Sequence, residues 1–442
     1  MSPDAAARRG SSGDRMTTAA LLSPADFTEL ARTGPATAGM AALRAGLRSR
    51  RLLLLKALLV RVKRCGESVD SAVARRFEAA WSLLEQAERA HPRVVREVLD
   101  YPTTGAWLAA ALAAPEGPAL DRRLDRLESI AVTAALRAGC PLDLTVTAPG
   151  GSFSLTGVGR LLVDGERIRV RARSRLVRIG PEGSRTGQAV LHLADPRSGT
   201  LTGLGTGWTV LRTLPGATAV LDDLDPYRVP PDGVGAPPRA AGERDHTDAD
   251  AWDGRWRAAQ QLLRQVDPAR ATEVAGLVRA VVPLAPGGPR SAHMSATLRA
   301  APGAVLASLP SSARAMAETL VHETHHSKLA ALHELVPLHR PGRPARHQVG
   351  WRSDPRPIAG VLQGAYAHLA LTDLWRRAAA AGGLSAAWRT SAGQQFERFH
   401  DQVGGALEIL LESDELTIAG REFTRQMKRH HASLGTGRTA LG

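Results

Sequence analysis

Residues 309–337 read LPSSARAMAETLVHETHHSKLAALHELVP, and this stretch predicts one long helix. Ser311 or Ser312 is suited to cap its start after a proline, and Pro337 ends it. No glycine or proline interrupts the residues between them. The polar residues of this helix fall in a pattern that carries chemistry.

The middle of this predicted helix carries the pattern HExxH. Residues four apart lie on one helix face, so His322 and His326 present two imidazoles to one point. Glu323 lies beside that point, where a carboxylate handles a proton or orients a water. His325 points away by about 100° and is predicted to be exposed or to support the site from outside. The pattern predicts a divalent-metal site, and a polar helix face with surface histidines is the alternative.

Two familiar ways of completing an HExxH site do not fit the sequence. The longer pattern HExxHxxGxxH needs glycine and histidine at positions that Leu329 and Leu332 occupy here. A glutamate ligand from a following helix would have to come from far along the chain, where the candidates are Glu397, Glu408 and Glu412.

His368 is better placed as a third metal ligand. Gly360, Gly364 and His368 recur every four residues in RPIAGVLQGAYAHLALTDLWRRAAAAGG, residues 356–383, which predicts a helix. Two glycines would let the backbone of the HExxH helix approach, so that three imidazoles converge. Asp354 is a second candidate ligand, and tight helix packing around a hydrogen-bonded core histidine is the structural alternative.

Arg352 and Arg356 precede this helix in VGWRSDPRPIAG, residues 349–360. The two X-Pro dipeptides hold the backbone extended. Guanidinium groups are fork-shaped donors suited to a carboxylate, so one of these arginines is predicted to bind the acid group of a substrate or co-substrate. A salt bridge with Asp354 is the alternative.

The segment 290–310 leads directly into the HExxH helix and is rich in small and polar residues. His293, Ser295 and Thr297 either line a cleft or belong to an ordinary loop. The composition favours the loop.

Hydrophobic periodicity predicts an α+β fold that is mainly α-helical, with a small antiparallel β unit inserted. Residues 16–140 form an N-terminal helical region, and 141–227 alternate apolar and polar residues between glycine-rich turns. Residues 228–249 are a linker rich in proline, glycine and charge. Residues 250–433 form a helical catalytic domain that contains the HExxH motif.

Composition argues against several classes of partner and location. The formal net charge is +14, but only four of the 57 basic residues are lysines and the arginines are scattered. We therefore expect no nucleic-acid partner, while an acidic peptide partner stays open. The chain has two cysteines without a CxxC pattern, no secretion signal and no apolar run long enough to span a membrane. These features predict a cytoplasmic protein without a membrane partner.

Four segments together resemble a known family. LDDLDPYR, LVHETHHSKLAAL, WRSDPRP and GVLQGAYAHLA follow one another in the order typical of the actinobacterial HExxH-motif proteins. That family is described as 2-oxoglutarate-dependent peptide β-hydroxylases, which modify ribosomally made peptides. The resemblance covers most of the chain and is best from about residue 205 to 425.

The resemblance implies a non-haem iron site. By it, His322, His326 and His368 bind Fe(II), one of the two arginines before the second helix holds 2-oxoglutarate, and O2 is the oxidant. Glu323 then orients a ligand or a water rather than serving as a base. The implied substrate is the precursor peptide, and a radical-SAM peptide-modifying enzyme of the same pathway is an implied partner.

Two other functions are weighed against this one. A zinc metallopeptidase would use Glu323 to activate water, but it lacks a well-placed glutamate ligand. A peptide-binding scaffold with a structural metal would need a closed site with four protein ligands. A third histidine also departs from the two-histidine, one-carboxylate set common in non-haem iron oxygenases.

Overall fold

The computed structural model describes residues 22–35, 37–183, 188–216, 219–287, 293–341 and 345–435. The predicted fold class is confirmed: the chain is α+β and mainly helical, with small antiparallel sheets. The helices are α1 Pro24–Ala31, α2 Thr37–Cys65, α3 Ser71–Ala90, α4 Pro92–Leu99, α5 Pro102–Ala113, α6 Pro118–Leu124, α7 Arg126–Arg137, α8 Ala249–Val266, α9 Pro268–Leu277, α10 Ala313–Leu335, α11 Ile358–Ala380, α12 Ala386–Glu412 and α13 Ile418–Gly435. Residues 16–21 of the predicted N-terminal region lie outside the described residues.

The predicted β unit contains two antiparallel sheets. Its strands are β1 Leu142–Thr147, β2 Ser152–Leu155, β3 Gly159–Leu162, β4 Arg167–Arg173, β5 Leu176–Pro181, β6 Ala189–Asp195, β7 Thr200–Gly205 and β8 Trp208–Val210. One sheet has the order β1-β4-β5-β6-β7 and the other β2-β3-β8. Alternate residues of β4 are buried, which is the pattern expected of a sheet with one solvated face.

A third sheet lies partly inside the region predicted to be helical. Its strands are β9 Arg212–Thr213, β10 Val220–Leu221, β11 Ala280–Pro283, β12 Ser295–Ala296 and β13 Ala304–Ala307. The order is β12-β13-β11-β10-β9, and β10, β11 and β13 run parallel. The prediction of an all-helical 250–433 is therefore wrong for these strands. Every residue of β11 and β13 is buried, so neither strand shows the alternation that marks a strand in sequence.

Helix α2 connects two hydrophobic cores. Its first half contributes Leu43 to a core with α1 and the C-terminal helices α8–α13. Its second half contributes Leu58 to a core with α3–α7 and the β unit. A helix of 29 residues is about 44 Å long, enough to reach both.

The predicted linker, 228–249, packs against the third sheet. Val229 and Val234 are buried in a small core beside β11 and β13. A bridge joins Val234 to Arg239, and another joins Ala241 to Leu284. Across the described ranges, the helices are too short or too polar to span a bilayer.

Candidate metal and co-substrate site

Helix α10 positions the HExxH residues. Ser312 caps it, and the hydroxyl accepts a hydrogen bond of 3.1 Å from the backbone N–H of Ala315. The rings of His322 and His326 lie on one face with their centres 4.5 Å apart and nearly perpendicular. Both side chains line a cavity of about 580 Å³. The helix therefore presents both imidazoles to one space, as the four-residue spacing predicts.

Helix α11 brings His368 to the same wall. Its ring centre lies 5.1 Å from that of His322. The glycine stripe works differently from the prediction, because Gly364 admits a side chain rather than the backbone of α10. A Cβ at Gly364 would lie 2.6 Å from the indole of Trp351. That indole stacks on His368, with centres 4.5 Å apart and an 18° angle between the rings.

Hydrogen bonds fix the tautomers of two of the three imidazoles. Nδ1 of His326 lies 3.0 Å from Oε1 of Gln363, and Nδ1 of His368 lies 2.8 Å from the carbonyl oxygen of Gly364. Since both partners accept hydrogen bonds, each Nδ1 carries the proton and each Nε2 has a lone pair. Such outer partners are typical of metal-binding histidines.

Burial keeps two of these rings neutral. It lowers the pKa of His322 well below the usual histidine value, and the nearby His326 and His368 lower it further. Burial lowers the pKa of His368 to about 4. Neutral imidazoles are the form that binds a metal ion.

The three histidines suit a divalent metal in chemistry and in ring separation. Two imidazoles that bind one ion through nitrogens about 2.1 Å away have ring centres roughly 5 Å apart. Within the described part of the chain, however, no three His, Cys, Asp or Glu side chains are arranged to hold a metal ion.

Glu323 is not among the residues that line the cavity, although its neighbour Thr297 is. Its side chain is 1% exposed, and both carboxylate oxygens accept hydrogen bonds. Ser295 donates to one oxygen at 2.6 Å and Thr297 to the other at 2.7 Å. This contact ties the third sheet to α10. In the described part of the segment before α10, which begins at residue 293 and contains β12 and β13, Thr297 lines the cavity, whereas His293 and Ser295 do not.

Both predicted arginines line the cavity. Arg352 and Arg356 each donate to Asp354, at 2.8 and 3.0 Å, which also fulfils the alternative prediction of a salt bridge. The hydrogen bond from Arg352 is the largest cause of the lowered pKa of Asp354. All three side chains are more than a third exposed, so these pairs are weak and exchangeable.

His325 does not line the cavity and is completely buried. The prediction that it is exposed is wrong. Its Nδ1 donates to the carbonyl oxygen of Val321, and its Nε2 accepts from Arg270 at 3.0 Å. Arg270 also pairs with Glu273, which binds Lys328 at 2.6 Å. His325 therefore belongs to a buried network that anchors the helix.

Sequence reasoning missed Trp351, Gln363 and the contact of Glu323 with two hydroxyls. Trp351 stands between the two predicted motifs, directly before Arg352, and is the one signal that the sequence offered. Comparisons of the sequence with protein families and with curated proteins found no match. The site must therefore be interpreted from its own geometry.

Proposed function

We propose that this chain is a non-haem Fe(II)/2-oxoglutarate-dependent oxygenase that hydroxylates the β-carbon of a residue in a ribosomally made precursor peptide. One observation carries the proposal: the cavity of about 580 Å³ is lined by five histidines, three of which are the predicted metal ligands, and by three arginines, two of which are the predicted co-substrate ligands. The family resemblance of the motifs supports the same conclusion. A cavity of this size is large enough for a small co-substrate and a peptide side chain.

In this proposal His322, His326 and His368 hold the metal. Gln363 and the carbonyl of Gly364 keep the proton on Nδ1 and orient two of the rings. Bound Fe(II) supplies the coupling of 2-oxoglutarate, O2 and a C–H bond to give succinate, CO2 and an alcohol. Because three neutral histidines do not balance the charge of the ion, an anionic co-substrate such as 2-oxoglutarate suits this site.

Arg352 or Arg356 binds the carboxylate of 2-oxoglutarate that is distant from the metal. Each arginine gives up a solvated pair with Asp354 when it does so. That exchange costs little, because exposed ion pairs contribute roughly 0–1 kcal/mol. Asp354 keeps both guanidinium groups beside the cavity until the co-substrate arrives.

In this proposal Glu323 orients a ligand or a water and does not serve as a base. Two hydroxyl donors occupy its carboxylate oxygens, and the side chain is shielded from the cavity. A zinc peptidase, the alternative function, needs this carboxylate in contact with a metal-bound water. The observed contacts support the oxygenase over the peptidase.

The test is turnover by the full chain with Fe(II), 2-oxoglutarate, O2 and the precursor peptide. Mass spectrometry should show the gain of one oxygen atom, with one succinate formed for each hydroxylated peptide. Arg352→Gln or Arg356→Gln should raise the KM for 2-oxoglutarate about tenfold, while Arg89→Gln, an exposed arginine of α3, should not. Peptide cleavage with zinc, or oxygen insertion without 2-oxoglutarate, would contradict the proposal.

A further inference from the structure

A second cavity, of about 340 Å³, lies where the β unit meets α6, α7 and the chain after β10. It shares no lining residue with the histidine cavity. Four arginines line it: Arg122, Arg126, Arg160 and Arg228. The opposing acids in its wall are Asp125 and Glu243. The cavity is therefore cationic and independent of the proposed metal site.

Arg160 is the distinctive residue of this cavity. It lies on β3, the central strand of its sheet, opposite Ser154 and Thr209. Among the residues that the structure describes, its guanidinium has no hydrogen-bond or ion-pair partner, and its Nε is buried. A buried donor without a partner calls for a bound group, because desolvation alone is unfavourable.

The two arginines behind it are already partly compensated. Arg126 pairs with Asp225, and Arg228 donates to the carbonyl oxygen of Asp225 and to Glu243. Their side chains are 6% and 7% exposed, which fixes them in place. Asp125 is likewise paired, with Arg76 at 2.8 Å. Counting only contacts within the described ranges, the cavity arginines without an opposite charge or hydrogen-bond partner are therefore Arg122 and Arg160.

The wall chemistry defines the ligand. Two free guanidinium groups attract an anion, while the two carboxylates nearby oppose one that carries more than a single charge. Phe153, Leu224 and Tyr227 add apolar surface for a carbon body. A carboxylate on an apolar body meets all of these conditions, and a guanidinium group binds it with two parallel hydrogen bonds.

We propose that this cavity binds a carboxylate, held chiefly by Arg160, on a ligand with an apolar body. The carboxylate belongs either to an acidic residue of a peptide or to a free organic acid. The inference does not depend on a metal in the histidine cavity. Because β3 is the central strand of a three-stranded sheet, the binding arginine is preorganised rather than carried on a loop.

Calorimetric titration of the full chain tests this with three probes: benzoate, acetyl-Leu-Glu-Leu-amide and its Gln counterpart. At least one acid should bind, and the Gln peptide should not. Arg160→Gln should weaken binding at least about tenfold, and Arg89→Gln should change it less than about twofold. Tighter binding of benzoate identifies a free acid as the ligand class, and tighter binding of the Glu peptide identifies an acidic peptide.

Circular dichroism and the melting temperature establish that each variant is folded. If Arg160→Gln does not fold, Arg122→Gln takes its place, since that side chain is exposed at the cavity. The proposal is overturned if neither acid binds, if the Gln peptide binds equally well, or if the folded variants bind like the wild type.

Discussion

The histidines on the two sides of α10 differ in their surroundings. On the cavity face, His322 and His326 lie at an open space. On the other face, His325 makes hydrogen bonds through both ring nitrogens and is completely buried. Of three histidines within five residues, two therefore border the cavity, while the third is enclosed by the packing of Arg270 and helps to hold the helix.

The difference shows that the buried charges lie on the side of α10 that contains His325, which we call the anchoring face. Lys328, Arg270 and Glu273 are almost inaccessible to solvent and compensate one another. Burial lowers the pKa of Lys328, and the carboxylate of Glu273 is the largest opposing influence. Such a network holds α10 in place and thereby positions His322 and His326 at the cavity, where His326 also hydrogen-bonds to Gln363.

The largest expected effect is loss of the carboxylate in the anchoring network. Glu273→Ala leaves the buried Lys328 without its ion-pair partner and removes one of the three acids around Arg270, so the free energy of unfolding should fall by about 3–5 kcal/mol. Denaturant unfolding measures this. Glu78→Ala, which changes an exposed residue of α3, is the control and should change stability by less than about 0.5 kcal/mol. Equal stability of the two variants would show that the network anchors nothing.

A paired substitution compares the two faces directly. His325→Ala should lower the metal-free unfolding free energy by about 2–3 kcal/mol, because it removes a buried side chain and a partner of Arg270. His322→Ala should lower it by less than about 1 kcal/mol, since this ring borders a cavity. A larger loss in His322→Ala than in His325→Ala would reverse the assignment of the faces.

On the cavity face, Gln363→Leu should act on metal affinity and not on stability. Without the acceptor, the proton and orientation of His326 are no longer fixed. Loss of such an outer partner typically weakens metal binding by about 10–100-fold. Anaerobic titration with Fe(II) measures the change, and an unchanged affinity would remove Gln363 from the site.

The last expected effect is a dependence of the free energy of unfolding on pH, caused by His430 at the edge of the buried network. Burial lowers the pKa of His430 to about 4, and the carboxylate of Asp373 opposes this shift. The unfolded chain therefore binds a proton first, so stability should fall by about 2–3 kcal/mol between pH 6.5 and 4. His430→Gln should show a shallower fall over that window. If His430→Gln and the wild type lost stability equally over this window, His430 would be excluded as the source of the pH dependence.

Elements with a periodic hydrophobic pattern were predictable from sequence. Elements whose structure depends on packing against distant residues were not. The alternation in β4 and the caps of α10 predicted their structures. Strands β11 and β13 were missed because burial on both faces removes alternation. Spacing along the chain placed the histidines on their helices.

Contacts between distant residues were beyond the sequence. Trp351 against Gly364 and Ser295 against Glu323 depend on how the elements pack. For the same reason the glycine stripe of α11 was assigned to the wrong neighbour. Local pattern specifies which face a side chain occupies, while the identity of its partner is a tertiary property.

The most direct test of the central claim is the metal affinity of the full chain measured anaerobically with Fe(II). We predict that the wild type binds one ion, and that His322→Ala, His326→Ala and His368→Ala each weaken binding by at least about a hundredfold. His246→Ala, at an exposed position, should bind like the wild type. A wild type that binds no divalent ion, or a His368→Ala variant with unchanged affinity, would contradict a site shared by the three imidazoles.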